Sequence, residues 1–307
     1  MSGRFIRLRS PIVSWVVALA TIVAVVPGGN AQQERPRRAV PLQQTPREVL
    51  EQARSAPTSD ERISGIEKFI AANRGVAIEI EAREALMREY ALRAKQRLRD
   101  GDPQQATSDF KAAFRAAPAE ITDRVFSQYV FPMPVAMNSF GYRTESAELM
   151  RSFEGRFQNN VNRLIQIGFF YVQIEAPLEA VRTLERAVEL APQDSRGHNS
   201  LGSAYLINLR LDDAQAEFRR ALELNPKDEY ANLNLANLAR SKGAMDRAID
   251  YYQKQLALKP DDGEAYGGLA IALLGAGRDE EAERALKKAL EIEPENYRLL
   301  TQLAFYY

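Results

Sequence analysis

Small, apolar and polar residues recur at a fixed period along residues 161–294. Proline recurs every 34 residues, at Pro192, Pro226, Pro260 and Pro294. In register with the prolines come a small residue (Gly168, Gly202, Ala236, Ala270), an alanine (Ala180, Ala214, Ala248, Ala282) and a large apolar or aromatic residue (Leu184, Phe218, Tyr252, Leu286). A fixed period of this length is typical of solenoid proteins, in which one unit stacks on the next. The pattern predicts four regular units over residues 161–294.

Each unit is predicted to be a pair of antiparallel helices, so the fold class is all-α. With Val161 as position 1, apolar and small residues occupy positions 4, 7, 8 and 11 of a first helix and positions 20, 24 and 27 of a second. These spacings place each set on one helical face. The small residues at positions 8 and 20 are predicted to let the two helices approach closely. The proline at position 32 ends the second helix, and Asp194 is expected to cap the next one.

Residues 45–75 are predicted to form a helical hairpin that does not follow the later repeat. Thr45 and Thr58 each combine an N-cap residue with a glutamate three positions further on, which is the pattern of a capping box. The second helix carries isoleucine and phenylalanine on one face, and a glycine at 75 closes it.

Residues 76–160 are predicted to contain degenerate copies of the unit. Helices are expected over residues 76–99, 121–130 and 144–157. Pro132 and Pro134 are expected to prevent a helix in an insertion at 131–142. This insertion, rich in aromatic residues and methionine, is predicted either to pack on a neighbouring unit or to present a binding surface.

The N-terminus has the three-part pattern of an export signal. Three arginines within residues 1–9 precede an apolar run over 12–26, which is shorter than the roughly 20 residues of a membrane-spanning helix. Small residues then precede a cleavage point after Ala31. We therefore expect a signal peptide at 1–31 and a flexible linker at 32–44, with the mature protein in the periplasm or cell envelope. An uncleaved N-terminal membrane anchor is the alternative.

The last residues of the sequence begin a further unit. Five residues fall at positions 1, 4, 7, 8 and 11 of that unit: Tyr297, Leu300, Leu303, Ala304 and Tyr307. Residues 295–307 are therefore predicted to be an incomplete fifth unit. Either the half-unit is itself a cap, or the chain continues, or the apolar helix is buried against another chain. Its apolarity favours the last two explanations, and burial against another chain would make the protein an oligomer.

Composition narrows the chemistry that the chain can perform. Lys plus Arg and Asp plus Glu both number 41, so there is no global basic field for nucleic acid or for an anionic membrane. The absence of cysteine excludes disulfides, thiolate metal sites and a cysteine nucleophile. His198, the single histidine, falls on the packing face of a first helix, where a structural role is favoured over catalysis. With no catalytic motif in the sequence, we expect no catalytic residue, no metal and no cofactor.

The repeat resembles the tetratricopeptide repeat family. The copy closest to the family pattern has a small residue, a tyrosine, two alanines, a phenylalanine and a proline in register: Gly202, Tyr205, Ala214, Ala221, Phe218 and Pro226. The resemblance is strong over residues 161–307 and weak over 87–160. The family often has tryptophan where this chain has His198, Asn232 and Tyr266, and it has alanine where this chain has Gln255. The resemblance implies a right-handed superhelix of helix pairs whose first helices line a concave groove that binds peptide segments.

Positions 2, 5, 9 and 12 of the first helices are predicted to face this groove. The candidate partner-binding residues are Asn162, Phe169, Arg196, Asn199, Ser203, Tyr230, Asn237, Arg240, Glu264 and Ile271. The surface is mixed, with apolar residues in the first and last units and polar ones between. It contains no lysine, so the carboxylate clamp of some family members is not supported. Alternatively, some of the apolar residues contact an adjacent helix.

The function expected from these observations is an exported, non-catalytic scaffold that binds protein or peptide partners. Nucleic acid is not expected as a partner, and a membrane is expected only through the signal or anchor. Two alternatives stay open. The repeats can belong to a larger envelope protein whose enzymatic or other domain lies beyond residue 307, or the chain can be a self-assembling structural subunit.

Overall fold

The computed structural model describes residues 44–296 and Thr301. The predicted signal peptide (1–31), most of the linker (32–44) and most of the incomplete fifth unit (295–307) lie outside the described residues. The described helices are α1 (Pro46–Arg54), α2 (Ser59–Ala72), α3 (Ile78–Arg99), α4 (Pro103–Ala116), α5 (Asp123–Val125), a π-helical segment (Phe126–Val130), α6 (Pro132–Ser139), α7 (Arg143–Glu154), α8 (Val161–Gln173), α9 (Pro177–Leu190), α10 (Ser195–Ile207), α11 (Leu211–Leu224), α12 (Glu229–Ser241), α13 (Met245–Leu258), α14 (Gly263–Gly275) and α15 (Asp279–Ile292). Consecutive helices pack in pairs, which confirms an all-α solenoid.

The N-terminal hairpin is formed by α1 and α2, and both predicted capping boxes are present. The Thr45 backbone N–H donates to Glu48 Oε2 at 2.7 Å, while the Glu48 N–H donates to Thr45 Oγ1 at 3.3 Å. Thr58 and Glu61 make the same reciprocal pair. Each box satisfies N–H groups that have no partner within the helix, so local sequence determines where α1 and α2 begin.

The regular units are held together by a close approach of the two helices of each pair. A Cβ atom placed on Gly168 of α8 would lie 2.3 Å from Leu184 Cγ of α9. One placed on Gly202 of α10 would lie 2.6 Å from Phe218 Cδ1 of α11. The facing alanines at position 20 are fully buried. The structure thus shows that the glycine at position 8 in the first two regular units leaves room for the large residue at position 24 of the paired helix.

The turn between the two helices of a unit needs a left-handed residue at position 15. Gly243 and Gly277 have φ values of 75° and 72° there, whereas the equivalent Glu175 and Leu209 have φ values of 48° and 58°. A residue with a Cβ in this region costs about 1–2 kcal/mol. Two of the four regular units therefore carry backbone strain at this turn.

Replacing Gly243 by alanine is expected to destabilise the protein by about 1–2 kcal/mol, because alanine resists a positive φ. The change is measured by chemical denaturation. Gly155→Ala is the matched control, since Gly155 has a φ of −54° and nothing within 4 Å of its missing Cβ. That control should leave stability unchanged or slightly raised. Equal losses for the two variants would contradict this explanation.

The degenerate unit formed by α3 and α4 replaces an apolar contact by a buried ion cluster. Arg93 stands at position 7, which is leucine or isoleucine in the regular units. It donates from Nη2 and Nε to the two carboxylate oxygens of Asp109, at 2.6 and 3.0 Å. Arg97 Nη1 lies 2.8 Å from Asp109 Oδ2, and the Asp109 side chain is almost fully buried. The hydrogen bonds from Arg93 to Asp109 and Asp60 raise the pKa of Arg93.

The expectation that Pro132 and Pro134 prevent a helix is wrong, because the insertion forms α6. Pro132 and Pro134 are the first and third residues of this helix, where backbone N–H groups have no partner within the helix. The π-helical segment leads directly into α6, with Phe131 N–H donating to Phe126 O at 2.9 Å. The wider turn of a π-helix accommodates this change in the backbone hydrogen-bond pattern ahead of α6.

α6 packs against α7, so residues 123–154 form a helix pair of their own. Met133 and Met137 are buried in the core, and the Phe131 ring contacts the Phe170 ring of the next unit at 5.8 Å between centroids. Of the two predictions for the insertion, packing on a neighbouring unit is therefore confirmed. Val135 and Phe140 stay partly exposed on its surface.

The hydrophobic core runs the length of the described solenoid. One cluster extends from Leu50 in α1 to Leu238 in α12, and a second continues from Ala236 in α12 to Ala289 in α15. The two clusters overlap in α12, so each helix pair packs mainly on its neighbours, as expected of a solenoid.

Candidate functional site: the first-helix groove

The predicted partner-binding residues share one surface, formed by the first helices of the four regular units. These helices are α8, α10, α12 and α14, and each contacts the next. None of the ten predicted residues is buried. Five are exposed and five are half-buried; the exposed ones are Asn162, Phe169, Arg196, Tyr230 and Glu264. We call this surface the groove. The structure shows where its residues lie, and their part in binding stays a prediction.

Hydrogen bonds link the groove side chains of successive first helices. Arg196 Nη2 of α10 donates to Asn162 Oδ1 of α8 at 2.9 Å. Asn234 Nδ2 of α12 donates to Asn199 Oδ1 of α10 at 3.0 Å. Ser203 is turned inward, since its Oγ donates to the Asn199 backbone carbonyl at 3.1 Å. These bonds hold the polar centre of the groove in one arrangement.

A buried tyrosine fixes the remaining polar residues of the groove. The Tyr252 hydroxyl, reaching across from α13, donates to Asn237 Oδ1 at 2.6 Å and accepts from Arg240 Nε at 3.2 Å. Tyr252 is fully buried, and Gly268 of α14 leaves the space for its phenol. A Cβ on Gly268 would lie 2.4 Å from the Tyr252 hydroxyl oxygen. The side chains of Asn237 and Arg240 are thus held in place by hydrogen bonds to a buried residue.

These contacts leave the side-chain N–H groups of Asn199 and Asn237 without an acceptor among the described residues. In both residues the side-chain oxygen accepts a hydrogen bond, and Nδ2 donates none within the part of the chain that the structure describes. An oxygen that is already bonded fixes the direction of the amide nitrogen on the same side chain. Asn199 and Asn237 therefore present oriented donors along one side of the surface.

Two aromatic side chains extend from the same surface. Phe169 of α8 is 50% exposed and Tyr230 of α12 is 69% exposed. Ile271 of α14 is half-buried, and Glu264 of the same helix is exposed. Exposed aromatic residues beside fixed polar groups are typical of the anchors in protein interfaces.

Arg196 is held in place by the cap of its own helix. Asp194 accepts from Arg196 Nε at 3.0 Å and from Nη2 at 2.6 Å, and it also accepts from the Arg196 backbone N–H at 3.0 Å. The hydrogen bonds from the Arg196 side chain lower the pKa of Asp194, and the same pairing raises the pKa of Arg196. The predicted N-cap at Asp194 is confirmed, and it also positions a groove cation.

His198 lies on the packing face, as predicted, and is buried. Its Nδ1 is 2.6 Å from Glu217 Oε2 of α11, and its Nε2 is 3.0 Å from the Pro192 carbonyl oxygen. Both ring nitrogens are therefore engaged in contacts that join the two helices of the unit and the preceding turn.

The groove is also shaped by three residues whose role there was not predicted from the sequence: Asn234, Tyr252 and Gly268. A signal was present for two of them. Position 24 is phenylalanine or leucine in the other regular units, so the extra hydroxyl of Tyr252 needed a partner. Position 6 is glutamine, serine or asparagine in the other units, so Gly268 indicated a close approach there.

None of the helices in the described part of the chain has the length and apolarity needed to cross a membrane. Over the same part of the chain, no three histidine, cysteine or carboxylate side chains come together in a way that suits a metal ion.

The helix pairs and their 34-residue period define the protein as an α-solenoid. Two models of the tetratricopeptide repeat match the chain, over residues 208–262 and 239–304. The chain therefore carries tetratricopeptide repeats over residues 208–304. No curated protein sequence matches it.

Several solved structures are similar to the chain. MamA is 28% identical with a TM-score of 0.46, over 54% of this chain and 96% of MamA. TTC0263, a thermophilic tetratricopeptide repeat protein in Thermus thermophilus, is 22% identical with a TM-score of 0.48, over 57% of this chain and 95% of TTC0263. YrrB, described as a tetratricopeptide repeat protein with an unusual peptide-binding site, is 18% identical with a TM-score of 0.44, over 63% of this chain and 96% of YrrB.

Proposed function

We propose that this protein is an exported, non-catalytic adaptor that holds a protein or peptide partner in the groove of α8, α10, α12 and α14. The observation that carries the proposal is the pair of oriented amide donors at Asn199 and Asn237, flanked by the exposed rings of Phe169 and Tyr230. Side chains that are already fixed lose little conformational freedom on binding, which favours affinity.

The chemistry of these groups indicates how a partner binds. Peptide carbonyls and carboxylates accept hydrogen bonds from amide N–H groups, so the polar centre supplies direction and specificity. The two aromatic rings bury apolar side chains of the partner and supply most of the affinity. Arg196 and Arg240 add positive charge beside the donors, and Glu264 places negative charge in the last unit.

Replacing Phe169 or Tyr230 by alanine is expected to weaken partner binding by about 1–2 kcal/mol, because exposed aromatic anchors dominate most interfaces. The partner is first captured from an envelope extract, and the variants are then compared by isothermal titration. Arg219→Ala, an exposed residue of α11, is the control and should bind normally. If both groove variants bind as the unaltered protein does, while changes at Val135 and Phe140 abolish binding, the partner sits on the surface of α6 instead.

Export is the second part of the proposal, supported by the arginines, apolar run and small residues of the first 31 positions. The protein recovered outside the cytoplasmic membrane is expected to begin near Gln32, which N-terminal sequencing would show. A sequence beginning at Met1 or Ser2 would contradict cleavage and favour the uncleaved anchor.

A further inference from the structure

A small pocket lies between α11 and α13, the second helices of two successive regular units. Its floor is the side of α12 that carries Leu235, Leu238 and Ala239, and none of its lining residues belongs to the groove. The volume of the pocket is about 30 Å³. One water molecule needs about 10–15 Å³, so the pocket admits a few atoms of a ligand and not a whole molecule. We call it the α11–α13 pocket.

The charge of the lining is entirely positive. Three cations surround the floor: Arg219 of α11, Lys242 of the turn between α12 and α13, and Arg247 of α13. The uncharged polar lining residues are Gln215 and Tyr251, and no aspartate or glutamate lines the pocket. Positive charges beside an apolar floor repel one another more strongly than they would in bulk water.

Two of the three cations have no counter-charge within the part of the chain that the structure describes. Arg219 and Arg247 make neither a hydrogen bond nor an ion pair there. Lys242 Nζ lies 2.7 Å from Asp212 Oδ1 and donates to Gln215 Oε1 at 3.3 Å. The Asp212 side chain is 99% exposed and lies outside the lining, so it neutralises the pocket only weakly.

The repeat shows what differs at this contact. Arg219 and Arg247 stand at position 25 of one unit and position 19 of the next. Two periods earlier, the same positions hold Arg151 of α7 and Glu179 of α9, and these side chains form an ion pair. Side chains at the two positions therefore reach each other across successive second helices. Because both are arginine in the α11–α13 contact, an anion between them would be strongly favoured.

A phosphate group is the anion that suits this lining best. Arginine presents its N–H groups in a planar fork that matches phosphate oxygens, and lysine binds phosphate as a point charge. A phosphate monoester carries about −1.5 to −2 charges at pH 7 and has three acceptor oxygens, one for each cation. A carboxylate offers one charge and two oxygens. The small volume admits such a group, while the rest of a larger ligand stays in solvent.

We propose that the α11–α13 pocket binds the phosphate group of a ligand, with Arg219 and Arg247 on two sides of the group and Lys242 on the third. Gln215 Oε1 already accepts from Lys242, so the amide nitrogen of Gln215 is left to donate to the ligand. The site is independent of the proposed role of the groove, since no residue is shared between them.

Isothermal titration of the full chain with inorganic phosphate tests the site. We expect saturable one-to-one binding that weakens as sodium chloride is added, because salt screens the charges. Acetate, compared at the same ionic strength, should bind about tenfold or more weakly because it has a single charge and two oxygens. Absence of saturable phosphate binding, or equal affinity for acetate, would overturn the proposal.

Arg219→Gln combined with Arg247→Gln removes both unpaired charges and should weaken phosphate binding by about tenfold or more. Arg47→Gln combined with Arg284→Gln is the matched control, because these exposed arginines of α1 and α15 lie elsewhere and give the same change of net charge. Circular dichroism should show that both double variants remain folded. Equal losses of affinity in the two would mean that only overall charge matters, and the proposal would fail.

Arg247→Glu places a carboxylate at the position that Glu179 has in α9, and it should reproduce the ion pair of Arg151 with Glu179. We expect this variant to lose phosphate binding. Thermal unfolding in phosphate-free buffer should occur at the same or a higher temperature, and added phosphate should raise the melting temperature of the unaltered protein only. A variant that binds phosphate as tightly as the unaltered protein would contradict the placement of the site.

Glycerol phosphate and vesicles of phosphatidic acid in phosphatidylcholine distinguish the sources of the phosphate group. Binding of glycerol phosphate without binding of vesicles indicates a soluble ligand. Vesicle binding that the Arg219–Arg247 double variant loses indicates a lipid headgroup, and either result supports the site. Vesicle binding and phosphate affinity that both survive in the double variant would overturn it.

Arg219→Ala separates this site from the groove. It should weaken phosphate binding and leave partner binding in the groove unchanged, whereas Tyr230→Ala should do the reverse. If Tyr230→Ala weakens phosphate binding and Arg219→Ala does not, phosphate binds in the groove. The α11–α13 pocket is then not the site, while the proposed function stands.

Discussion

Replacing Asp109 by alanine is expected to destabilise the protein by about 3–5 kcal/mol, the typical cost of removing one partner from a buried ion pair. The Asp109 carboxylate is almost fully buried and accepts from both Arg93 and Arg97. Without it, two guanidinium groups remain close together at the helix interface, and only Arg93 keeps a carboxylate partner, the exposed Asp60. Urea denaturation followed by circular dichroism measures the loss.

A double variant tests whether the charge, and not the side-chain volume, is the cause. Arg93→Leu restores the residue type that position 7 has in the regular units. Combined with Asp109→Ala, it should recover much of the lost stability, because an ion pair replaced by apolar residues often costs little. If the double variant is less stable than Asp109→Ala, the ion cluster is not the origin of the effect.

Replacing Gly202 by leucine is expected to destabilise the protein by about 1–3 kcal/mol, because the α10–α11 contact has no space for a larger side chain. Even a Cβ at this position would lie 2.6 Å from the Phe218 ring. Ala214→Leu should act in the same direction, since Ala214 is fully buried on the facing helix. Thermal unfolding measures both variants, and unchanged melting in both would show that these residues do not lie at a helix crossing.

The regular units supply a compensating control for this contact. The last unit has alanine at position 8 and leucine at position 24, in Ala270 and Leu286. Gly202→Ala alone should therefore lose stability, and the addition of Phe218→Leu should restore part of it. No recovery in the double variant would mean that the space at position 8 does not depend on the residue at position 24.

The helix pairs and their register were predictable from the sequence because each regular unit repeats the same local constraints. Proline at position 32 cannot continue a helix, and an asparagine or aspartate just before each first helix caps it. The positions of Gly168 and Gly202 were found in the same way, since a position that stays small in four copies indicates a close contact. The surface position of the predicted groove residues followed from helical spacing.

The error at α6 shows the limit of such local rules. Two prolines two residues apart were expected to prevent a helix, yet both fall within a first turn. A proline is harmful where its missing N–H would have bonded within the helix, and it is tolerated where that N–H has no such partner. The placement depends on where the helix begins, and the preceding π-helical segment determines that point.

The sequence by itself determined the repeat, the helix boundaries of the regular units and the face that each helix buries, because all three depend on residues within about one period. Only the tertiary structure decided which side chains meet within and between units. Tyr252 reaches Asn237 within one unit, and Asn234 reaches Asn199 of the preceding unit. Such contacts depend on how far a long side chain extends and on what a neighbouring glycine leaves open. Helical spacing fixes the direction in which a residue points, whereas only the packed neighbours determine what it touches.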